Sequence, residues 1–128
     1  MSAPNVFFWV QHLLGIGHLK RTATLARTFR RAGMTVTVVS GGHEVPGLDL
    51  GGATLVQLPP VRAADKYFKV LVGETDTEID DAFRARRSDL LLAAYRAAAP
   101  DVVITELFPF GRRQLRHELT TLLDAAKA

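Results

Sequence analysis

Cysteine is absent from the 128 residues, and tryptophan (1), tyrosine (2) and methionine (2) are scarce. Without cysteine there is neither a disulfide nor a thiolate-held metal. No apolar run reaches the roughly 18 residues that a membrane-spanning helix needs. The opening Met1-Ser2-Ala3-Pro4-Asn5 lacks the basic stretch of a signal peptide, and Gln11 and His12 break the apolar run behind it. A cytoplasmic location is therefore expected, with peripheral contact at a membrane face left open. A strong charge of one sign is missing as well. The 16 Lys+Arg and 13 Asp+Glu leave a net charge of +3, and no recognition motif or interleaving of aromatic and basic residues points to nucleic acid as a partner.

What is present is a 48% hydrophobic chain of the length of one domain. A domain of this size buries roughly 65 to 70% of the surface its unfolded chain exposes, so it needs no staples. Short β-rich runs alternate with helical stretches. Val6 to Val10 is a continuous β-branched and aromatic run, which suits a strand buried on both faces of a parallel sheet. Leu19 to Ala32 reads as a helix with Gly33 as its stop. Thr35 to Val39 is a second strand, ended by Gly41-Gly42, and the unit from Val6 to Ser40 has the length of one βαβ crossover. A third strand, Thr54 to Leu58, is closed by Pro59-Pro60. Val61 to Glu78 follows neither period and reads as a long loop of functional character. A helix opens at Asp80 or Asp81 and runs to about Ala99, with Ile79, Phe83, Leu90, Ala93, Ala94 and Ala97 on its apolar side and Pro100 as terminator. Val102 to Thr105 is the fourth strand, and Leu115, Leu119, Leu122 and Leu123 mark a last amphipathic helix. Four strands alternating with three helices predict an α/β fold, a doubly wound and mostly parallel sheet in three αβα layers.

Ligands of such sheets bind beyond the carboxyl ends of the strands. Three segments lie there: His12 to His18, Ser40 to Glu44, and Glu106 to Gly111. In the first, Gly15 and Gly17 allow a tight turn into the next helix, whose N-terminus attracts anions. The nucleotide fingerprints fail in detail. Lys20 stands where a dinucleotide loop has its third glycine, Ser40 stands where a ribose-binding acid belongs, and Leu19 precedes Lys20 where a P-loop requires glycine. His18 sits at the mouth of the cleft as a candidate general base, or else as a capping or packed histidine. Glu106, after the fourth strand, comes to the same sheet edge, where a carboxylate can orient an imidazole; the plainer reading is an exposed loop acid. The basic residues on the helices, Arg84, Arg86 and Arg87 among them, read as solvated faces. Lys20 and Arg21, in the first helical turn, are the exceptions that could meet a phosphate.

Together, Gly15-Ile16-Gly17-His18-Leu19, Val38-Val39-Ser40-Gly41-Gly42 and Pro100 to Glu106 resemble the N-terminal half of GT-B glycosyltransferases. The likeness is to glycosyltransferase family 28 and the bacterial N-acetylglucosaminyltransferase that makes lipid II, and above all to a group of bacterial predicted glycosyltransferases with a similar Glu106 to Arg113 stretch. The resemblance implies a Rossmann-like, acceptor-binding half of an inverting enzyme whose other half grips a nucleotide-sugar co-substrate, with no bound metal or cofactor. It gives His18 the role of base and Glu106 that of its assisting acid, in place of the aspartate usual in the small-molecule branch. In the lipid II branch the glycine-rich loop meets phosphate, which would make Gly15, Gly17 and His18 binding residues instead. Ser40, Gly41, Gly42, Lys20, Arg21 and Phe108 complete the candidate substrate contacts. A complete GT-B enzyme is roughly two to three times a domain of this size. The chain is thus expected to be a fragment without its donor-binding C-terminal domain, inactive alone. A non-catalytic α/β binding module, or a dinucleotide-dependent oxidoreductase domain, are the alternative readings.

Overall fold

Residues 5–10 carry no charge and bury both of their faces, and they form the central strand. Val6, Phe8 and Val10 join one hydrophobic cluster, and Phe7 and Trp9 join the other. The computed structural model describes residues 3–65, 70–106 and 113–127, the side chain of Arg113 excepted. In chain order the elements are β1 (Asn5–Val10), α1 (Gly17–Arg31), β2 (Thr35–Ser40), β3 (Thr54–Gln57), β4 (Arg62–Ala63), β5 (Leu71–Val72), α2 (Asp81–Ala98), β6 (Val102–Thr105) and, after a 3-10 turn at Arg113–Leu115, α3 (Arg116–Lys127). Among the described residues no helix is long and apolar enough to cross a membrane.

The main sheet has the order β3-β2-β1-β6 and every pair in it is parallel. Helix α1 covers one face, where Leu19, Ala23 and Ala26 pack on Val6, Phe8, Val10, Val36 and Val38. Phe29 stacks on Phe8 with ring centroids 5.8 Å apart. On the other face Leu91, Leu115, Leu119 and Leu122, from α2 and the α3 region, pack on Phe7, Trp9 and Val39. Each fully buried large apolar side chain of this kind contributes about 1.5 to 3 kcal/mol relative to exposure. The three αβα layers expected from the sequence are those observed.

The helix ends follow local chemistry. Gly33 takes φ +91°, its N–H donates to Arg30 O at 3.0 Å, and Met34 N–H donates to Phe29 O at 3.0 Å, a Schellman ending of α1. Asp80 caps α2 by accepting the Phe83 N–H at 2.8 Å. Two expectations are corrected. The segment Val61 to Glu78 is not loop throughout, because β4 and β5 pair antiparallel within it and Ile79 N–H returns to Leu71 O at 3.1 Å. The apolar side of α2 is also rotated from the one expected: Leu90, Ala93 and Ala97 are exposed, and the inward stripe runs through Phe83, Arg87, Leu91, Ala94, Tyr95 and Ala98. Three consecutive leucines at 90–92 hide the phase of that helix from a count of apolar residues.

Candidate functional site

The chain leaves β1 for β2 and β3 on one side and returns through β6 on the other side of β1. The strand order therefore reverses between β1 and β6, the switch point where open α/β sheets leave a crevice for ligands. The β1–α1 loop and the residue after β6 meet there. Glu106 is held by its own backbone, whose N–H donates to Trp9 O at 3.0 Å and so extends the β1–β6 ladder by one step. His18 is in the first turn of α1. Its Nδ1 lies 3.0 Å from Glu106 Oε1, across 88 positions of sequence.

A carboxylate can only accept, so Nδ1 carries the proton in this contact, and in a neutral imidazole that leaves the lone pair on Nε2. The side chain of His18 is 32% exposed and that of Glu106 is 16% exposed, which leaves the imidazole within reach of a ligand while its partner is largely covered. Arg21, one turn along α1, donates from Nη1 to the same Oε1 at 3.2 Å. Arg21 is thus engaged with Glu106. The side chain of Lys20 makes no such contact among the described residues. The helix starts without a side-chain cap and without an acid in its first turn among the described residues, so no side chain there competes with an anion for its first N–H groups.

The glycines divide into two kinds. Gly15 and Gly17 have open space where a Cβ would stand, and neither takes a positive φ. The tight turn expected of them is therefore not a conformational demand, and what their small size leaves is room above the backbone. Gly41 and Gly42 are closed in by packing. A Cβ on Gly41 would run into Gln11 Oε1 and Arg87 Nη2, and one on Gly42 into the His12 ring. Ser40 is buried at the end of β2, and its Oγ has no hydrogen-bond partner among the described residues. Phe108 lies outside the described residues.

A cavity of about 380 Å³ opens beside this edge, lined by His12, Leu13, Leu14 and Ile16 from the β1–α1 loop, by His43, Glu44 and Val45 after β2, and by Arg62 and Ala63 of β4. A larger one, about 590 Å³, lies between Gln57–Pro60, residues 73–80 and α2, and shares no residue with the loop that leads to His18. The smaller cavity is the one that takes lining residues from the loop leading to His18, although neither His18 nor Glu106 is among them. Among the described residues no three His, Asp or Glu side chains gather as ligands for a metal ion.

The residue that reading the sequence missed is Arg87. Expected on a solvated face, it is 1% exposed and faces Glu118 of α3, which is 3% exposed. Burial pushes the Glu118 carboxyl up from the ordinary glutamate range, and the Arg87 guanidinium pulls it part of the way back. The available signal was periodicity: Arg87 stands four residues before the buried Leu91, and Glu118 stands among Leu115, Leu119 and Leu122.

No known protein family matches the chain by sequence, and no curated protein matches it. Among solved structures, the crystal structure of CalG4, the calicheamicin glycosyltransferase, is similar with a TM-score of 0.46 and 19% identity, over 84% of this chain. The match covers 28% of that chain's length.

Proposed function

We propose that this domain is the acceptor-binding half of an inverting GT-B glycosyltransferase that uses a nucleotide-sugar donor, with His18 as its general base. The observation that carries the reading is the His18–Glu106 contact at the switch point of the sheet, with Nδ1 turned to the carboxylate and Nε2 left for a ligand. The motif resemblance of the β1–α1 loop and of the β6 end supports the same roles.

In this reading the acceptor lies in the 380 Å³ cavity with its hydroxyl at Nε2 of His18. Nε2 takes the hydroxyl proton as the oxygen attacks the anomeric carbon, and the bond from that carbon to the donor's phosphate oxygen breaks. The nucleotide leaves and the anomeric configuration inverts. Glu106 keeps the ring in the productive tautomer and stabilises the imidazolium that forms. The room at Gly15 and Gly17 and the exposed Lys20 in the first turn of α1 suit the donor's phosphates, while a separate donor-binding domain would grip the nucleotide. The cytoplasmic setting expected from the sequence belongs to this proposal.

In a polypeptide that joins this domain to a donor-binding half, His18→Ala is expected to lower turnover by about 10²-fold or more. An unchanged rate would return His18 to a packing role. The 128 residues by themselves are expected to transfer no sugar, and robust transfer by them would overturn the two-domain reading.

A further inference from the structure

The guanidinium of Arg87 spends all five of its N–H groups on buried or half-buried acceptors. Nε and Nη2 donate to Glu118 Oε1 at 3.2 and 3.0 Å, Nη2 also donates to Gln11 Oε1 at 2.9 Å, and Nη1 donates to Gly41 O at 2.9 Å and Pro59 O at 2.6 Å. Those acceptors belong to the segments that leave β1, β2 and β3 at their carboxyl ends, and to α3. One side chain on α2 therefore ties together the carboxyl ends of three of the four strands of the main sheet.

We infer that Arg87 is a positioning residue for the His18–Glu106 pair. A chain of contacts leads from it into the loop that carries His18. Gln11 begins the segment that ends at His18, and with its Oε1 held by Arg87 its Nε2 donates to His12 O at 2.8 Å and to Val61 O at 2.9 Å. Ala63 N–H then holds Leu13 O at 3.0 Å. The loop that delivers His18 hangs from that carboxamide. Through Glu118 the same guanidinium also holds α3 against α2. Gly41 has no Cβ because Gln11 Oε1 and Arg87 Nη2 occupy its place.

Stability alone does not call for this arrangement. A buried ion pair can be exchanged for apolar side chains of like volume at little or no loss of stability, whereas removal of one partner leaves the other uncompensated. What five directed hydrogen bonds add, and apolar packing does not, is the placement of two loop carbonyls, one carboxamide and one carboxylate relative to each other. The inference rests on the general-base reading of His18 for its catalytic meaning, but its geometric content can be measured without any transfer reaction.

The test is the double variant Arg87→Met/Glu118→Leu of the 128-residue chain, with the ring nitrogens of His18 observed by ¹⁵N NMR at mildly alkaline pH. The wild-type chain is expected to give the signature of a single Nδ1–H tautomer. The double variant is expected to keep its circular dichroism and cooperative unfolding while His18 loses that signature and shows averaged ring-nitrogen shifts. A folded double variant with the wild-type signature overturns the inference. Should the double variant not fold, Arg87→Lys decides, since an ammonium keeps the charge opposite Glu118 but cannot make five directed hydrogen bonds: loss of the signature supports the inference and retention overturns it. In the two-domain polypeptide the double variant is expected to lower kcat by about 10²-fold with little change in KM. If His18→Ala leaves turnover untouched while the spectroscopic result holds, it is the general-base reading that fails and not the positioning role.

Discussion

His18 and Glu106, 88 positions apart in sequence, share a 3.0 Å contact because a parallel ladder and a helix start converge on it. Trp9 O fixes the backbone of Glu106, and the short loop after Val10 returns the chain into α1 at Gly17. The site is built from the fold's own connections.

Charge, and not shape alone, should matter at Glu106. In Glu106→Gln the amide oxygen can still accept from Nδ1, so the ring keeps its place. The neutral amide no longer stabilises the imidazolium, and the ion pair with Arg21 is lost. Turnover of the two-domain enzyme is expected to fall by about 10²-fold with KM within a few fold. Steady-state kinetics check this, and an active Glu106→Gln enzyme would make the carboxylate a bystander.

The two pairs of glycines should respond in opposite directions. Gly42→Ala puts a methyl group into the His12 ring and is expected to cost about 1 to 3 kcal/mol, a shift in Tm of several degrees. Gly17→Ala meets nothing and lies in the first turn of α1, so it is expected to stabilise by about 0.5 to 1 kcal/mol. Thermal unfolding of both variants separates a glycine required by packing from one that only leaves space. A Gly17→Ala chain that is more stable but impaired in transfer would place a ligand at that space.

The adjacent leucines of α2 test the phase of the helix. Leu91 is 0% exposed and Leu90 is 40% exposed. Leu91→Ala is expected to cost about 2 to 5 kcal/mol, and Leu90→Ala about 0.5 kcal/mol or less. Urea denaturation of the two variants gives the difference directly, and comparable losses would mean that the inward stripe had been assigned to the wrong side.

Strands were the legible part of this fold. A strand buried on both faces, such as Val6 to Val10, has no polar interruption, and Thr35 to Ser40 with its Gly-Gly stop is nearly as plain. The site was legible where its residues follow strand ends, because topology alone brings the residue after β6 beside the start of α1. Arg87 was not legible, since a buried arginine differs from an exposed one only through a partner 31 positions away on another helix. The pairing of β4 with β5 was hidden for a related reason. Strands of two residues have no period, and their register is set by Arg62↔Val72 and Ala63↔Leu71 across an intervening segment.

The pH dependence of stability reports on Glu118. Burial raises its folded value above the ordinary 4.5, against the pull of Arg87, Arg84 and His117. The folded chain therefore holds the Glu118 proton more tightly than the unfolded chain does. Stability from this group is fully present below the ordinary value and is lost as pH rises through the raised folded value. Glu118→Gln has no such proton, so the stability of the wild-type chain relative to that variant is expected to decline from acid toward neutral pH. Urea denaturation of both chains at a series of pH values measures this, because contributions common to both cancel in the difference. A wild-type advantage that grows with pH would mean that Arg87, and not burial, sets the charge of Glu118.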